Sequence, residues 1–351
     1  MTIAVVTGAG GLIGSEAVRH FASIGLDVVG IDNDMRRVFF GEKASTRSHV
    51  DDLEQTVPGY AHRWLDIRDR DGVFALFETL GDRVALVVHA AAQPSHDWSA
   101  TDPITDFEVN ALGTMHLLEA TRRHAPEAVF IFTSTNKVYG DAPNHLPLHE
   151  TETRFEIDQS HPFAAGITEE MSIDTSMHSP FGASKVAADV AVQEYGRYFG
   201  LRTSCFRGGT LTGPQHEGAE LHGFLSYLVR CAAWGDPYVI HGYGGKQVRD
   251  AIHSHDLITA FDAVFAAPPP PGSVFNIGGG RANSCSVLEA IGIVERVTGR
   301  SFETTYDPEA RVGDHLWWIG SNSRFEASYP HWKLEYDVEE IITEIWHAHR
   351  A

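Results

Sequence analysis

The first residues whose types and spacing could do chemistry are glycines. Thr7-Gly8-Ala9-Gly10-Gly11-Leu12-Ile13-Gly14 follows an apolar run and opens an amphipathic stretch. In that context Gly8, Gly11 and Gly14 let a pyrophosphate approach backbone N–H groups at a helix N-terminus, where Leu12 and Ile13 also lie. The spacing differs from the GxGxxG of the longer dinucleotide fingerprint, and no Lys-Ser or Lys-Thr follows to make a nucleoside triphosphate loop. Glycines that only make a tight strand-to-helix turn would look the same. The next apolar run ends Gly30-Ile31-Asp32. A carboxylate there accepts hydrogen bonds from an adenosine ribose and repels a 2′-phosphate, which predicts NAD over NADP, with Asp32 and Asn33 at the ribose. Arg36 and Arg37 are close enough to offset that preference. Asp66 and Ile67 follow the third strand and are expected near the adenine. Ala90, Ala91 and Ala92 follow the fourth and are small enough for backbone to pass close to a dinucleotide.

Positioning these residues takes a sheet. Apolar runs alternate with amphipathic stretches: Ile3 to Thr7, a helix from Leu12 to about Ile24, Val28 to Asp32, Val84 to His89, a helix around Leu112 to Arg122, and Val129 to Ser134. The rhythm predicts an α/β fold, a doubly wound parallel sheet with helices on both faces. Glu150 to Met177 reads as an irregular polar excursion. A helix from Phe181 to Phe199 and a strand from Thr203 to Arg207 return the chain to the sheet. Beyond Thr212 short elements dominate, with Pro268 to Pro271 a rigid break before a strand at Val274 to Ile277. The expected domains are 1–178, the first part of a dinucleotide-binding domain; 179–210, its return helix and strand; and 211–351, mainly a smaller substrate-binding lobe interleaved with the sheet.

Composition excludes several functions. The chain has 351 residues, 43% hydrophobic and 21% charged, enough to bury a core without staples. A net charge of −20 argues against a nucleic acid or an anionic membrane as partner, so any phosphate must be held locally. No apolar run is long enough to span a bilayer, and glycine interrupts the opening segment too soon for a signal peptide, so the cytoplasm is the expected location. Cys205, Cys231 and Cys285 lack metal spacing, and the pairs His253/His255 and His347/His349 lack a third ligand, so no metal is expected.

Taken together these segments resemble the extended short-chain dehydrogenase/reductase family of NAD-dependent epimerases and dehydratases, and the likeness runs through the whole chain. It includes Asn110 in Val109-Asn110-Ala111-Leu112-Gly113-Thr114, the run Thr133 to Asp141, Gly213-Pro214-Gln215 and Arg249-Asp250-Ala251-Ile252-His253. The wording is nearest the CDP-paratose (CDP-tyvelose) 2-epimerase branch, through Asp32 to Arg37 with Phe39-Phe40-Gly41, Glu220 to Phe224, Gly245 to Asp250 and Arg311 to His315. The resemblance implies a Rossmann fold and bound NAD, with Asn110 and Lys185 among the residues around it. It implies a nucleotide-diphosphate sugar as substrate, a CDP-hexose before others. The implied reaction is reversible oxidation at the sugar C2 and re-reduction from the other face. A homodimer is implied too, joined by the helices near Leu112 to Arg122 and Phe181 to Phe199.

In that family a YxxxK pair sets a phenol and an ammonium on one helix face; the lysine binds the nicotinamide ribose and lowers the phenol pKa, so phenolate takes the hydroxyl proton. Here the segment is Ser179-Pro180-Phe181-Gly182-Ala183-Ser184-Lys185, and Phe181 stands at the tyrosine position. Three readings stay open: an engineered Tyr-to-Phe trap, a natural departure in which another group handles the proton, and a binding protein without catalysis. For the second, Thr135 matches the residue that hydrogen-bonds the reacting oxygen. Lys137, two residues on along an extended segment, is a candidate base, or else a solvated loop lysine. Thr135, Lys137, Phe181 and Lys185 are thus the expected catalytic set. Sugar 4,6-dehydratases of the superfamily carry Asp-Glu after the threonine; Asn136 and Lys137 stand there, so dehydration is not expected. The resemblance puts Gln93, Thr135, Asn136, Leu221, Phe224 and Lys246 on the substrate side, with Arg249 and Arg311 aimed at the diphosphate. Either arginine alone could be an ordinary salt-bridge residue. The rivals to an epimerase are an enzyme that stops at the ketone and releases NADH, and a non-catalytic binder of NAD and a nucleotide sugar.

Overall fold

A computed structural model describes residues 2–216, 223–310 and 313–350. Seven strands form the large sheet: β1 Ile3–Thr7, β2 Asp27–Asp32, β3 Tyr60–Trp64, β4 Val84–His89, β5 Val129–Thr135, β6 Arg202–Gly208 and β7 Ser273–Ile277. Their spatial order is β7-β6-β5-β4-β1-β2-β3, and the pairings from β3 through β2, β1 and β4 to β5 are parallel. All five residues of β1 are buried, as a strand covered by helices on both faces requires. Helices α1 Leu12–Ser23, α2 Arg47–Thr56, α3 Arg70–Leu80, α4 His96–Thr101, α5 Pro103–Phe107, α6 Gly113–His124 and α7 Ser179–Phe199 accompany the strands. Val5, Val29, Val87, Leu117, Phe130 and Phe132 belong to one apolar core. Strand order reverses at β1, between β2 and β4, and crevices beyond the carboxyl ends of strands at such a reversal hold ligands.

The chain divides into two compact units, one of residues 1–138, 179–207 and 258–275, the other of 139–178, 208–257 and 276–351. In the second unit Val248–His253 pairs with Thr210–Thr212, Ser284–Ser286 and Trp317–Trp318. Helices Phe224–Trp234, Val287–Thr298 and Val338–Ala348 contribute to a second core through Leu228, Val294 and Ile345. Ser286 with Glu289 and Asp337 with Glu340 form capping boxes that start the last two of these helices.

Where 1–178 was expected to hold together, Tyr139–His178 clusters with the second unit. Its backbone explains this: Phe155 N–H donates to Lys246 O at 2.9 Å and Ile167 N–H to Ile319 O at 2.7 Å. The helix expected around Leu112 to Arg122 runs Gly113–His124, after a π turn at Glu108–Leu112. Lys137, expected along an extended segment from Thr135, lies in a 3₁₀ turn, Asn136–Tyr139. Lys137 N–H donates to Thr135 Oγ1 at 3.2 Å, a local hydroxyl-to-backbone bond that competes with strand pairing.

Candidate active site

The glycine loop is built for close approach. Gly8 has φ +68°, and a Cβ there would lie 2.8 Å from Ala91 N; a Cβ at Gly14 would lie 2.0 Å from Gly8 O. No alanine fits either place. Helix α1 starts after Gly11 with no side-chain cap and no acidic residue in its first turn. A Cβ at Gly11 would meet only Gly8 O within 4 Å. An uncapped first turn, at Leu12 and Ile13, with an open approach fits a pyrophosphate.

Asp32 ends β2. Its Oδ2 accepts from Gly10 N–H at 3.0 Å, and its Oδ1 accepts from Asp34 N–H at 2.8 Å and Thr46 Oγ1 at 3.2 Å. Asn33 donates to Asp66 Oδ2 at 2.9 Å. Burial works against the Asp66 charge, but hydrogen bonds from Arg68 outweigh it and hold the carboxyl below its usual range. Ile67 turns its side chain into the core, leaving its carbonyl oxygen to His116. Asp34 carries no signal in the sequence beyond its neighbours. It is buried, and its Oδ2 lies 3.4 Å from Arg37 Nε and 3.3 Å from Arg47 Nε. Arg36 lies over the Phe40 ring.

After β4, Ala90, Ala91 and Ala92 pass the glycine loop and lead to Gln93. Thr7 Oγ1 accepts from Ala91 N–H at 3.2 Å and bonds His89 Nδ1 at 2.7 Å. On the other side of the ring His89 Nε2 lies 2.9 Å from Thr114 Oγ1, which itself donates to Asn110 O at 2.6 Å. Thr114 therefore accepts from Nε2–H, and Thr7 donates to Nδ1. Burial, with the Lys185 charge adding to it, pushes the His89 imidazole down to about 3, so this relay is neutral.

Gln93 and Asn110 face inward. The Gln93 side chain donates to Ser95 O at 2.8 Å and Asp106 Oδ1 at 2.7 Å, and accepts from Ser95 N–H. Asn110 accepts from Gln93 N–H at 2.9 Å and donates to Gln93 O, Asp106 Oδ1 and Ser184 Oγ. These two residues fasten the β4 loop to α7.

Phe181 and Lys185 stand one turn apart on α7, both buried. Lys185 Nζ donates to Thr133 O at 2.9 Å and lies 4.3 Å from the Phe132 ring centroid. Burial brings its ammonium down to about 8, against the pull of Asp189 and Asp106. Thr135 ends the same strand, and the buried Asn136 opens the 3₁₀ turn that holds Lys137. Phe181 has the ring of His96 as a neighbour, their centroids 4.8 Å apart. His96 went unnoticed in the sequence, where a lone histidine in a polar segment carries no signal.

In the second unit, Arg249 is paired with Asp314 and also donates to Val248 O at 2.6 Å. Lys246 donates to Glu150 Oε1 at 2.7 Å and Thr151 O at 3.0 Å. Phe224 opens its helix and packs against the second core. Leu221 and Arg311 lie outside the described residues.

The model of the NAD dependent epimerase/dehydratase family matches residues 4–278. The chain belongs to that family. NAD is accordingly its cofactor. The chain is 33% identical to a CDP-paratose 2-epimerase of Salmonella typhi over 300 residues, 83% of each chain. It is 27% identical to a putative UDP-glucose 4-epimerase of Methanocaldococcus jannaschii over 97% of its own length and 96% of the relative's. The structure of Thermus thermophilus UDP-glucose 4-epimerase, a complex with NAD, superposes with a TM-score of 0.79 at 25% identity, covering 100% of this chain and 99% of that one. Among the described residues no helix is long and apolar enough to cross a membrane, and no group of three or more His, Cys, Asp or Glu could hold a metal.

Proposed function

We propose that the protein is a nucleotide-sugar epimerase that oxidises a sugar hydroxyl transiently and reduces it again, with a CDP-hexose as substrate and C2 as the reacting carbon. The observation that carries this reading is the end of β5. Lys185 bonds to Thr133 O there, and the chain continues with Thr135, Asn136 and Lys137. A hydroxyl, an amide and an ammonium can hold and polarise a sugar oxygen, whereas removal of water needs a paired acid and base that this segment does not offer. NAD, when bound, supplies the reversible hydride acceptor. In this reading Gly8, Gly11 and Gly14 admit the pyrophosphate, Asp32 takes the ribose, and Lys185 holds the nicotinamide ribose. Thr135 hydrogen-bonds the reacting oxygen. Arg249, with its partner Asp314, and Arg311 are assigned to the diphosphate, and Phe224 and Lys246 to the nucleotide and sugar. The CDP-paratose 2-epimerase relative supports the choice of base and carbon.

The test is incubation of the NAD-loaded protein with CDP-, UDP- and dTDP-hexoses, followed by proton NMR of the sugar and absorbance at the NADH band. Epimer formed at C2 of a CDP-hexose without net NADH is the expected result. Net NADH indicates an enzyme that stops at the ketone, and tight binding without conversion indicates a binding protein.

A further inference from the structure

We propose that His96 is the acid and base of this site, in the role that the ring of Phe181 has no hydroxyl to fill. The inference rests on the oxidation and re-reduction read above, and it concerns which side chain carries the proton.

Four observations place His96 for this work. It is the first residue of α4, directly after the loop that runs from Ala90 to Ser95 beyond the carboxyl end of β4, the edge of a doubly wound sheet where ligands sit. Its ring meets Phe181 edge to face, at 4.8 Å between centroids and 64° between planes, so an imidazole borders the very position where the family has its phenol. Its Nδ1 lies 3.2 Å from Ser179 Oγ. Its backbone is fixed, since Gln93 ties the loop through Ser95 and Asp106 while Ser95 Oγ caps α4 by accepting from Trp98 N–H.

Ser179 adds to the case. Its φ is +61°, a left-handed conformation in a residue other than glycine, and such strain persists where the surroundings over-determine it, often at sites of chemistry. Ser179 Oγ accepts from Gly182 N–H at 3.3 Å and keeps its own hydrogen. The hydroxyl can therefore donate to Nδ1 or accept from Nδ1–H. Either tautomer of His96 stays anchored at Nδ1, and Nε2 is the nitrogen that takes or gives a proton. Lys185 Nζ is held by Thr133 O, and a threonine hydroxyl such as that of Thr135 is no base near neutral pH.

The sugar O–H bond breaks toward His96 Nε2, giving imidazolium. NAD, when bound, would accept the hydride of the adjacent C–H bond as the C–O bond becomes a carbonyl. On return the hydride would be given back to the opposite face while the imidazolium returns its proton to the oxygen, so neither group would be consumed.

The experiment compares the full-length protein with His96→Gln and His96→Gln/Phe181→Tyr, measuring turnover against pH, and affinity for NAD and CDP by calorimetry. Expected are a turnover loss of about 100-fold or more in His96→Gln, the usual worth of a positioned acid or base, with both affinities within about threefold, a variation of well under 1.4 kcal/mol. The limb of the pH profile that belongs to an imidazole disappears, and the added phenol of the double variant restores part of the rate. Undiminished turnover in His96→Gln overturns the assignment. If the unsubstituted protein converts no nucleotide sugar, the epimerase reading fails, and nitrogen NMR of labelled histidine decides on His96 separately. Addition of NAD and CDP is expected to shift the His96 ring nitrogens and their titration; a ring indifferent to both ligands overturns the inference.

Discussion

Lys185 Nζ donates to the carbonyl oxygen of Thr133 at 2.9 Å, so the ammonium on α7 is held at the end of β5. One turn before it on the same helix stands Phe181, whose ring carries no hydroxyl. Replacing Lys185 by Ala is expected to weaken NAD binding about tenfold or more, since the ribose loses a charged donor. Calorimetric titration checks this. Lys137→Met, by contrast, should leave NAD affinity unchanged.

Asp34 bears on cofactor choice. Its buried carboxylate has Arg37 and Arg47 as neighbours, at 3.4 Å and 3.3 Å, and arginines are the cations suited to receive a 2′-phosphate. Asparagine tolerates the φ of +58° at this position and removes the charge. Asp34→Asn should raise NADP affinity relative to NAD by roughly tenfold, about 1.4 kcal/mol. An unchanged ratio of dissociation constants would refute the role.

His89 sets an acid limit on the fold. Folded, its imidazole titrates at about 3; unfolded, near 6.5. Between those values the unfolded chain takes up a proton that the folded chain refuses, so stability falls as pH falls, by up to roughly 5 kcal/mol across the window. His89→Gln should be less stable at pH 7 by about 1–2 kcal/mol yet lose less on going to pH 5. Urea unfolding at the two pH values gives the comparison, and equal pH slopes would exclude the mechanism.

Association into a homodimer is expected through α5, α6 and α7. Ile104 is 71% exposed and Tyr198 81% exposed, and Phe107, Leu112, Met115 and Phe199 are exposed as well, an apolar set suited to a second copy. Phe107→Asp with Tyr198→Asp should shift the mass in sedimentation equilibrium from dimer to monomer while the thermal transition remains cooperative. A monomeric mass for the unsubstituted protein would end this proposal.

Much of the first unit could be read from local pattern. β1 and β4 have the expected bounds because Ile3–Thr7 and Val84–His89 are uninterrupted apolar runs, which only a strand covered on both faces accommodates at that length. The glycine loop and Asp32 were legible because each lies beside the strand that positions it. His96 was not: it meets Ser179 across a separation of 83 residues, and no local spacing encodes such a meeting. Asp34 escaped for another reason. An acid near arginines reads as surface charge, and only its burial against Thr46 and Ser45 reveals a fixed clamp. The turn that carries Lys137 was not legible either, because it depends on Thr135 Oγ1 accepting from Lys137 N–H, a local bond that residue spacing does not announce.

Each compact unit draws on three separated stretches of chain. No single cut in the gene can yield either unit alone: a truncation after Val138 forfeits α7, β6 and β7. The β6–β7 edge of the large sheet also awaits later residues, with β7 arriving well after β1 has left the ribosome. Such long-range closure makes folding slow relative to a chain of local contacts. Refolding from denaturant should therefore gain its cofactor site late, and a circular permutant opened between Ala267 and Ser273 would test whether bringing β7 to the front of the chain hastens it.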